Sequence, residues 1–201
     1  MLYQEINNFL SDLQPENITN ERKKELQALI DFIQQRKNVN AEINLNFICT
    51  HNSRRSQFAQ VWAKIAAYKN NISINSFSGG VERTAFNERA VASLKRCGLK
   101  IESEGIENPK YAINYSAEER PLIAFSKLFD DSPNPSSNFA AIMTCSHADE
   151  NCPFIPGAEI RIPIRYNDPK EFDDTPQEAV MYGERSKEIA TEMIYIFSKI
   201  K

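Results

Sequence analysis

Strands and helices alternate along most of this chain, and this alternation is the feature that most constrains its fold. From residue 42 onward, short apolar runs typical of buried strands are separated by stretches with apolar residues at helical spacing. The predicted strands cover residues 43–48, 72–77, 139–144 and 160–164, and the predicted helices cover 55–68, 87–97 and a long stretch from 176. Such alternation indicates a three-layer α/β fold, with a four-stranded parallel sheet and helices on both faces.

The first 40 residues follow a different pattern and predict a helical extension, with the α/β domain covering residues 41–201. Apolar residues at helical spacing precede Pro15, and Asn20 is a candidate cap for a second helix. We interpret this extension as a helical hairpin packed on the main domain, or as a surface for a partner or a second copy. Further along, Thr175 to Glu178 form a capping box with proline at the first position of the C-terminal helix.

Residues 108–138 interrupt the alternation of strands and helices. Tyr111, Ile113 and Tyr115 occupy alternate positions, an apolar run covers 122–129, and a loop sequence with two prolines covers 130–135. This pattern predicts an inserted hairpin or lid that borders the site. No residue in it is a candidate for catalysis.

Composition and charge exclude several classes of function. The chain has 201 residues and a net charge of −3, which gives no reason to expect nucleic-acid binding. We expect no membrane span and no secretion signal, because no long apolar run and no basic leader are present. The expected location is therefore the reducing cytoplasm, where the four cysteines are more often catalytic or metal-binding than in disulfides.

The segment from Cys49 to Ser56, here called the oxyanion loop, carries the strongest chemical signal. A predicted strand ends at Cys49, Arg55 follows six positions later, and Ser56 opens a predicted helix. Backbone N–H groups of such a loop and the helix N-terminus can bind a tetrahedral oxyanion. Cys49 would be the nucleophile, favoured as a thiolate, and the planar guanidinium of Arg55 would hold two anion oxygens. The competing interpretation is a buried cysteine before an ordinary helix.

Other positions in the oxyanion loop fit the same interpretation. Asn52 tolerates positive φ and can shape the loop, and Ser56 can donate a hydrogen bond to the Cys49 thiolate. The residues expected to surround the anion are Thr50, His51, Asn52, Ser53, Arg54, Arg55 and Ser56.

Asp168-Pro169 follows the last predicted strand and is a candidate proton donor. Displacement of an oxygen leaving group requires an acid, and a carboxyl group near an anion site can serve. Asp173 and Asp174 are rival candidates in the same segment. The alternative is structural, since Asp-Pro commonly opens a turn.

Cys145 and Cys152 follow the third predicted strand and suggest a redox relay. If the segment is helical, the seven steps from Cys145 to Cys152 separate the two cysteines by roughly 10 Å along the axis. A disulfide requires Cα atoms about 4.4–6.8 Å apart, so its formation would require the segment to unwind. The alternatives are two buried small side chains, or a zinc site that includes His147. Cys97, beside Gly98 at a helix end, is expected to be core packing.

At this point the chain resembles a known family over residues 43–200. Residues 49–56 resemble the phosphate-binding loop of the low-molecular-weight protein tyrosine phosphatases and of the thioredoxin-coupled arsenate reductases. Residues 145–153 are similar to the arsenate reductase branch, in which two further cysteines with this spacing relay electrons. Asp168-Pro169 falls where that branch has its Asp-Pro acid. The N-terminal extension and the insertion lie outside the resemblance.

The resemblance implies a mechanism and a partner. Cys49 would attack arsenate held by Arg55, and Asp168 would protonate the departing hydroxide. Cys145 would then attack Cys49 and release arsenite, Cys152 would take over Cys145, and thioredoxin would reduce the Cys145–Cys152 bond. No bound cofactor or metal is expected, and a homodimer through the N-terminal helices is possible.

Two other functions are kept open. A low-molecular-weight phosphatase would hydrolyse phosphomonoesters through a phosphocysteine and would need only Cys49, Arg55 and Asp168. A non-catalytic binding module would be expected to have a broken loop, whereas this loop is intact.

The chain departs from the family pattern at several positions. His51 stands where the family usually has glycine, so its side chain is expected to point away from the anion. Gln60 stands where some reductases have a glutamate that helps to bind a monovalent cation, so that site is not carried over. Lys170 and Glu171 replace the aromatic residues that typically hold phosphotyrosine in the phosphatases, which counts against that substrate.

Overall fold

The computed structural model describes residues 1–151 and 154–201. Its helices are α1 (Gln4–Ser11), α2 (Asn20–Asn38), α3 (Arg55–Lys69), α4 (Glu88–Arg96), α5 (Ser146–Asn151) and α6 (Glu178–Ser198). Its strands are β1 (Asn44–Cys49), β2 (Asn75–Gly80), β3 (Lys100–Glu104), β4 (Lys110–Asn114), β5 (Leu122–Ala124), β6 (Phe139–Met143) and β7 (Ala158–Pro163). Short 3₁₀ turns cover Pro15–Asn17 and Pro169–Phe172.

The predicted parallel sheet is confirmed. Among the described residues it has four strands in the order β2-β1-β6-β7, and each neighbouring pair is parallel. β1 lies inside the sheet and is buried along its whole length, as expected for a central strand of a parallel sheet. In its register, Cys49 lies opposite Gly80, so the carboxyl ends of β1 and β2 meet at one edge.

Helices cover the two faces of the sheet unequally. Side chains that alternate along the strands divide between two apolar clusters, because successive residues of a strand point to opposite faces. Leu45, Phe47 and Ile142 belong to the large cluster under α3 and α6. Ile48 and Met143 belong to a smaller one under α5. The site edge therefore lies between a thick helical layer and a thin one.

The predicted N-terminal helices pack into the large apolar cluster. Ile6, Leu26 and Ile33 are fully buried. Phe9 stacks on Trp62 of α3, with ring centroids 5.0 Å apart. These helices therefore extend the core of the main domain, which matches the interpretation of a packed helical hairpin.

Two predicted helix starts are wrong in detail. Thr19, not Asn20, caps α2, because Thr19 is extended and its hydroxyl accepts from the N–H of Arg22 at 3.2 Å. α6 begins at Glu178 without a side-chain cap. The Glu178 carboxylate instead accepts from the N–H of Asp174, which has a φ of 61°, so the predicted capping box stabilises the preceding turn.

The predicted inserted hairpin exists, but it is part of a larger element. β4 and β5 pair antiparallel, and β3, which the sequence pattern did not predict, adds a third strand in the order β3-β4-β5. Beyond β5, residues 125–129 run beside the end of β2, and we call them the supporting segment. The N–H of Gly80 donates to Lys127 O at 2.9 Å, and the N–H of Phe129 donates to Gly80 O at 3.0 Å. The insertion thus reaches the edge of the main sheet next to Cys49.

The main strands differ from the prediction mostly at their ends. β2 begins three residues later than expected and continues through Gly79 and Gly80. At Gly79 an added Cβ would lie 2.2 Å from Phe129 Cα, so the strand needs glycine there. Within the described ranges, no helix combines the length and the apolarity that a bilayer crossing requires.

Candidate active site

The oxyanion loop has its carbonyl groups turned outward. The carbonyl of Cys49 accepts from the N–H of Val81, that of Thr50 accepts from the N–H of Glu82, and that of Ser53 accepts from the N–H of Asn87. In a trans peptide the C=O and the following N–H point in opposite directions. The N–H groups that follow these carbonyls therefore point to the inner side of the loop.

Two further carbonyls of the loop follow the same rule. That of His51 accepts from the hydroxyls of Thr84 and Ser126, both at 3.0 Å. That of Asn52 accepts from Gln57 Nε2 at 3.0 Å. The loop is thus a concave array of N–H groups held from outside, which suits a tetrahedral oxyanion.

A chain of side-chain hydrogen bonds ends at the Cys49 sulfur. Cys49 is the last residue of β1 and is 3% exposed. Ser56 Oγ lies 3.0 Å from its Sγ, and Asn52 Nδ2 donates to the same Oγ at 2.9 Å. Because the Ser56 oxygen accepts from Asn52, its own proton is free to point at the sulfur. The φ of Asn52 is 47°, so the predicted positive φ is present.

Arg55 and Asp168 meet at the carboxyl edge of the sheet, as the sequence predicted. Arg55 Nη2 donates to Asp168 Oδ2 at 2.6 Å, and Nη1 donates to Tyr166 O at 3.1 Å. Arg55 Nε is buried and has no hydrogen-bond partner in the described part of the chain. A buried donor of this kind usually serves a ligand or water, and here it belongs to the group expected to bind the anion.

The rival acids have other partners. The Asp173 carboxylate accepts from Arg54 Nη2 at 3.2 Å and from the Tyr182 hydroxyl at 2.7 Å. Burial raises the pKa of Tyr182, which keeps its hydroxyl protonated as a donor. Asp174 pairs with Arg89 at the surface. Asp168, by contrast, lines a small cavity together with Cys49 and Arg55, so the geometry favours Asp168 as the acid.

His51 lies at the rim of that cavity. Its imidazole Nε2 is 3.3 Å from Glu82 Oε2, and its side chain is 44% exposed. The expectation that the side chain is directed away from the anion agrees with this contact. His51, Ser53 and Arg54 also line an adjoining groove of about 510 Å³, which includes Phe86 and Tyr111.

The second thiol lies close to the oxyanion loop. Cys145 follows β6, is 1% exposed, and shares the smaller apolar cluster with Cys49. Its Sγ is 3.4 Å from Thr50 Oγ1 and accepts from the N–H of Ala148 at 3.4 Å. The segment is helical from Ser146 to Asn151. Cys152, the predicted third thiol, lies outside the described residues.

Cys97 and Gln60 have structural surroundings. Burial raises the pKa of the Cys97 thiol to about 11, in agreement with its expected place in the core. Gln60 is buried, and its side-chain amide is hydrogen-bonded to β2. Its Nε2 donates to Ser76 O at 3.0 Å, and its Oε1 accepts from Ser78 Oγ at 2.5 Å.

Sequence reasoning missed the residues that hold the oxyanion loop from outside. Ser126 donates to His51 O, and the N–H of Lys127 donates to Asn52 Oδ1 at 3.0 Å, so the supporting segment braces two loop positions. The sequence did contain a clue to this role, because Ser126 and Lys127 are polar residues inside an apolar run. In the structure both are buried. Buried polar groups require partners, and here the partners belong to the loop.

Comparison with known proteins places the chain in a family. No family model matches it. An arsenate reductase from Brevibacillus brevis is 31% identical over 146 residues, which cover 72% of this chain and 91% of that relative. An arsenate reductase from Staphylococcus aureus is 33% identical over 110 residues, or 55% of this chain and 66% of the relative, just under two thirds.

Solved structures confirm the fold. A low-molecular-weight phosphotyrosine phosphatase from Vibrio cholerae matches with a TM-score of 0.52 and 11% identity, covering 78% of this chain and 95% of that one. An arsenate reductase in its oxidized state matches with a TM-score of 0.51 and 18% identity, covering 79% and 98%. At these identities the matches establish the architecture alone. The Brevibacillus relative shows that the chain belongs to the arsenate reductase family of enzymes, and its fold is the one seen in the low-molecular-weight phosphatase and the arsenate reductase above.

Proposed function

We propose that this protein is an arsenate reductase that works through a thiol relay of Cys49, Cys145 and Cys152 and is regenerated by thioredoxin. The observation that carries the proposal is the second buried thiol: Cys145 lies against Thr50 of the oxyanion loop, at the same sheet edge as the nucleophile. Hydrolysis of a phosphomonoester has no use for a thiol at this position. The names of the relatives support the same reaction.

In the first step, Cys49 attacks arsenic and hydroxide leaves. The inward N–H groups of the loop and the Arg55 guanidinium bind the arsenate oxygens, and Ser56 stabilises the thiolate before attack. The carboxyl of Asp168, already beside Arg55, donates a proton so that hydroxide leaves as water. The product is a covalent arsenate ester of Cys49.

In the second step, Cys145 attacks the Cys49 sulfur. The Cys145–Cys49 bond forms, the bond from Cys49 to arsenic breaks, and its electron pair reduces As(V) to As(III), which leaves as arsenite. Cys152 then displaces Cys49 from the disulfide, and thioredoxin reduces the resulting Cys145–Cys152 bond. This cycle requires a reducing compartment, which is consistent with the cytoplasmic location expected from the sequence.

The test follows NADPH oxidation with thioredoxin, thioredoxin reductase and arsenate. We expect turnover with the wild-type protein and none with Cys145→Ser, because the covalent arsenate ester then has no attacking thiol. Cys145→Ser should still hydrolyse an aryl phosphate, which requires only the first-step residues. Cys97→Ser, a buried cysteine away from the site, is the matched control and should turn over normally.

The second candidate function is hydrolysis of phosphomonoesters. The groove beside the anion cavity favours it, because Phe86, Tyr111 and Pro109 could hold the organic part of an ester. Brisk aryl phosphate hydrolysis with no arsenate-dependent NADPH oxidation would establish this function and reject the reductase.

A further inference from the structure

The hydroxyl of Thr50 lies between a buried thiol and an exposed imidazole. Thr50 Oγ1 is 3.4 Å from Cys145 Sγ and 3.3 Å from His147 Nδ1. Cys145 is 1% exposed, whereas His147 reaches the surface from the first turn of α5. The three groups therefore form a continuous path from the second thiol to solvent.

The chemistry of the hydroxyl gives this path a direction. A threonine hydroxyl donates one hydrogen and accepts at its lone pairs, so it can receive a proton from sulfur while it passes its own to nitrogen. Neutral histidine accepts at Nδ1 when its proton is on Nε2. A thiol must lose its proton before it attacks, and the buried Cys145 needs a route along which that proton can leave.

We propose that His147 accepts the proton of Cys145 through the Thr50 hydroxyl when Cys145 attacks Cys49. The inference rests on the proposed function, because it describes the second step of that cycle. The S–H proton moves to Thr50 Oγ1, and the Thr50 proton moves to His147 Nδ1. The Cys145 sulfur then forms its bond to Cys49, and the electron pair of the Cys49–arsenic bond goes to arsenic. The imidazolium returns its proton to solvent.

Among the described titratable groups near α5, His147 is the one placed to accept a proton from Thr50. On α5 itself, Asp149 is buried and paired with Arg161 and Arg165, and Glu150 is exposed. The strands packed against α5 end in thiols, Cys49 on β1 and Cys145 after β6. Asp149 is thus neutralised by two arginines and is not available to accept the proton.

The step can be isolated without arsenate. In a variant with Cys97→Ser and Cys152→Ser, 5,5′-dithiobis(2-nitrobenzoate) first labels Cys49 as a mixed disulfide. Attack by Cys145 then releases a second thionitrobenzoate at a rate independent of reagent concentration. In this background we expect His147→Ala and His147→Asn to slow the second release about 100-fold, within the range of general-base effects.

The asparagine variant separates proton transfer from positioning. Its Oδ1 can accept the Thr50 hydrogen bond in place of Nδ1, but it cannot be protonated near neutral pH. Removal of a general base also removes its contribution to the pH dependence of the second-release rate, so this dependence should be weaker in both variants than in the parent. Glu150→Ala, on the exposed side of the same helix, is the matched control and should behave as the parent does.

The other possible results overturn either this inference or the proposed function. A second release that is unchanged in both His147 variants overturns the inference, and so does an asparagine variant that retains the parental rate and pH profile. Aryl phosphate hydrolysis reports on the oxyanion loop; an equal loss of hydrolysis and second release would show that His147 only maintains the loop, which also overturns the inference. Absence of a second release in the parent contradicts the thiol relay of the proposed function instead.

Discussion

At the scale of single residues, Asn52 connects the oxyanion loop to the rest of the site. Its left-handed backbone turns the loop, its Nδ2 fixes the Ser56 hydroxyl, and its Oδ1 accepts from the N–H of Lys127. The orientation of the hydroxyl that faces Cys49 therefore depends on a segment more than seventy residues away in sequence. The Cys49 sulfur thus lies at the end of a network of hydrogen bonds, and individual members of this network can be tested.

Ser56→Ala removes the donor to the Cys49 sulfur. We expect slower alkylation of Cys49 by iodoacetamide at neutral pH, because the thiolate is the nucleophile and loses a stabilising hydrogen bond. Mass spectrometry of the Cys49 peptide measures the rate. Ser93→Ala removes a buried hydroxyl that donates to Tyr182 O and should leave this rate unchanged. Equal alkylation in wild-type and Ser56→Ala protein would show that the serine does not act on the sulfur.

Because Lys127 is buried, we expect the free energy of unfolding to depend on pH. Burial lowers its pKa from 10.5 to about 8. Between these values the unfolded chain binds more protons than the folded chain, so the contribution of Lys127 to stability rises with pH. Lys127→Met should increase the free energy of unfolding at pH 7 by up to about 3 kcal/mol, and this advantage should shrink as the pH rises from 8 to 10.5.

Urea denaturation at several pH values measures this difference. Lys24→Met replaces an exposed lysine of α2 and is the control. A gain in Lys127→Met that does not change with pH would show that the ammonium is not strained by burial.

At the scale of elements, the end of β2 is where the main sheet, the oxyanion loop and the insertion come together. An added Cβ on Gly80 would lie 2.8 Å from Asn52 N and 2.4 Å from Glu82 O, both of them backbone atoms. The close approach lets the supporting segment pair with Gly80 and hold the loop from outside. Glycine in this strand is required by neighbouring backbone rather than by a turn.

Gly80→Ala should therefore displace the oxyanion loop. We expect kcat/KM for an aryl phosphate to fall about 100-fold, the order of loss produced by a misplacement of about 1 Å. Gly183→Ala is the matched control, since its added Cβ on α6 would have no neighbour within 4 Å in the described structure apart from the adjacent residues and the backbone of its own helix. That change should leave kcat/KM unaltered and increase stability by about 1 kcal/mol. A Gly80→Ala protein with normal kinetics would disprove the tight coupling of β2 to the loop.

At the scale of the whole molecule, the N-terminal extension is tied to the segment that holds Arg55. Arg22 of α2 donates to both carboxylate oxygens of Glu192 on α6 and to Arg165 O. The Tyr166 hydroxyl donates to the same carboxylate, and Tyr166 O accepts from Arg55. Besides apolar packing, the Arg22–Glu192 ion pair thus connects the extension to the segment that holds Arg55. A homodimer through the N-terminal helices stays a prediction, which light scattering can test.

Arg22→Met should destabilise the fold by about 3 kcal/mol, because it leaves the Glu192 carboxylate buried and without its cation. The double variant Arg22→Met with Glu192→Met should recover most of this loss, since two apolar side chains replace the pair. Urea denaturation measures both. If the single variant loses under about 1 kcal/mol, the pair is not a main link between the extension and the domain.

Much of the fold followed from the sequence because its signals are local. Each main strand and helix is marked by the spacing of apolar residues within a few turns, and the strand–loop–helix unit around Cys49 lies within one such stretch. The errors have local causes too. Thr19 precedes Asn20, and both are good caps, so the pattern could not separate them. β3 (Lys100–Glu104) has one buried residue among five and therefore lacks a strand signal.

The sequence by itself determined the candidate reactive groups of this protein: a cysteine, an arginine and an aspartate, placed by local spacing at strand ends that a parallel sheet brings together. Only the tertiary structure decided how these groups are held and connected. Lys127 reaches Asn52, and His147 reaches Thr50, across separations of 75 and 97 residues. The physical reason is that apolar periodicity specifies which face of an element is buried, whereas side-chain contacts depend on which distant segments pack against that face.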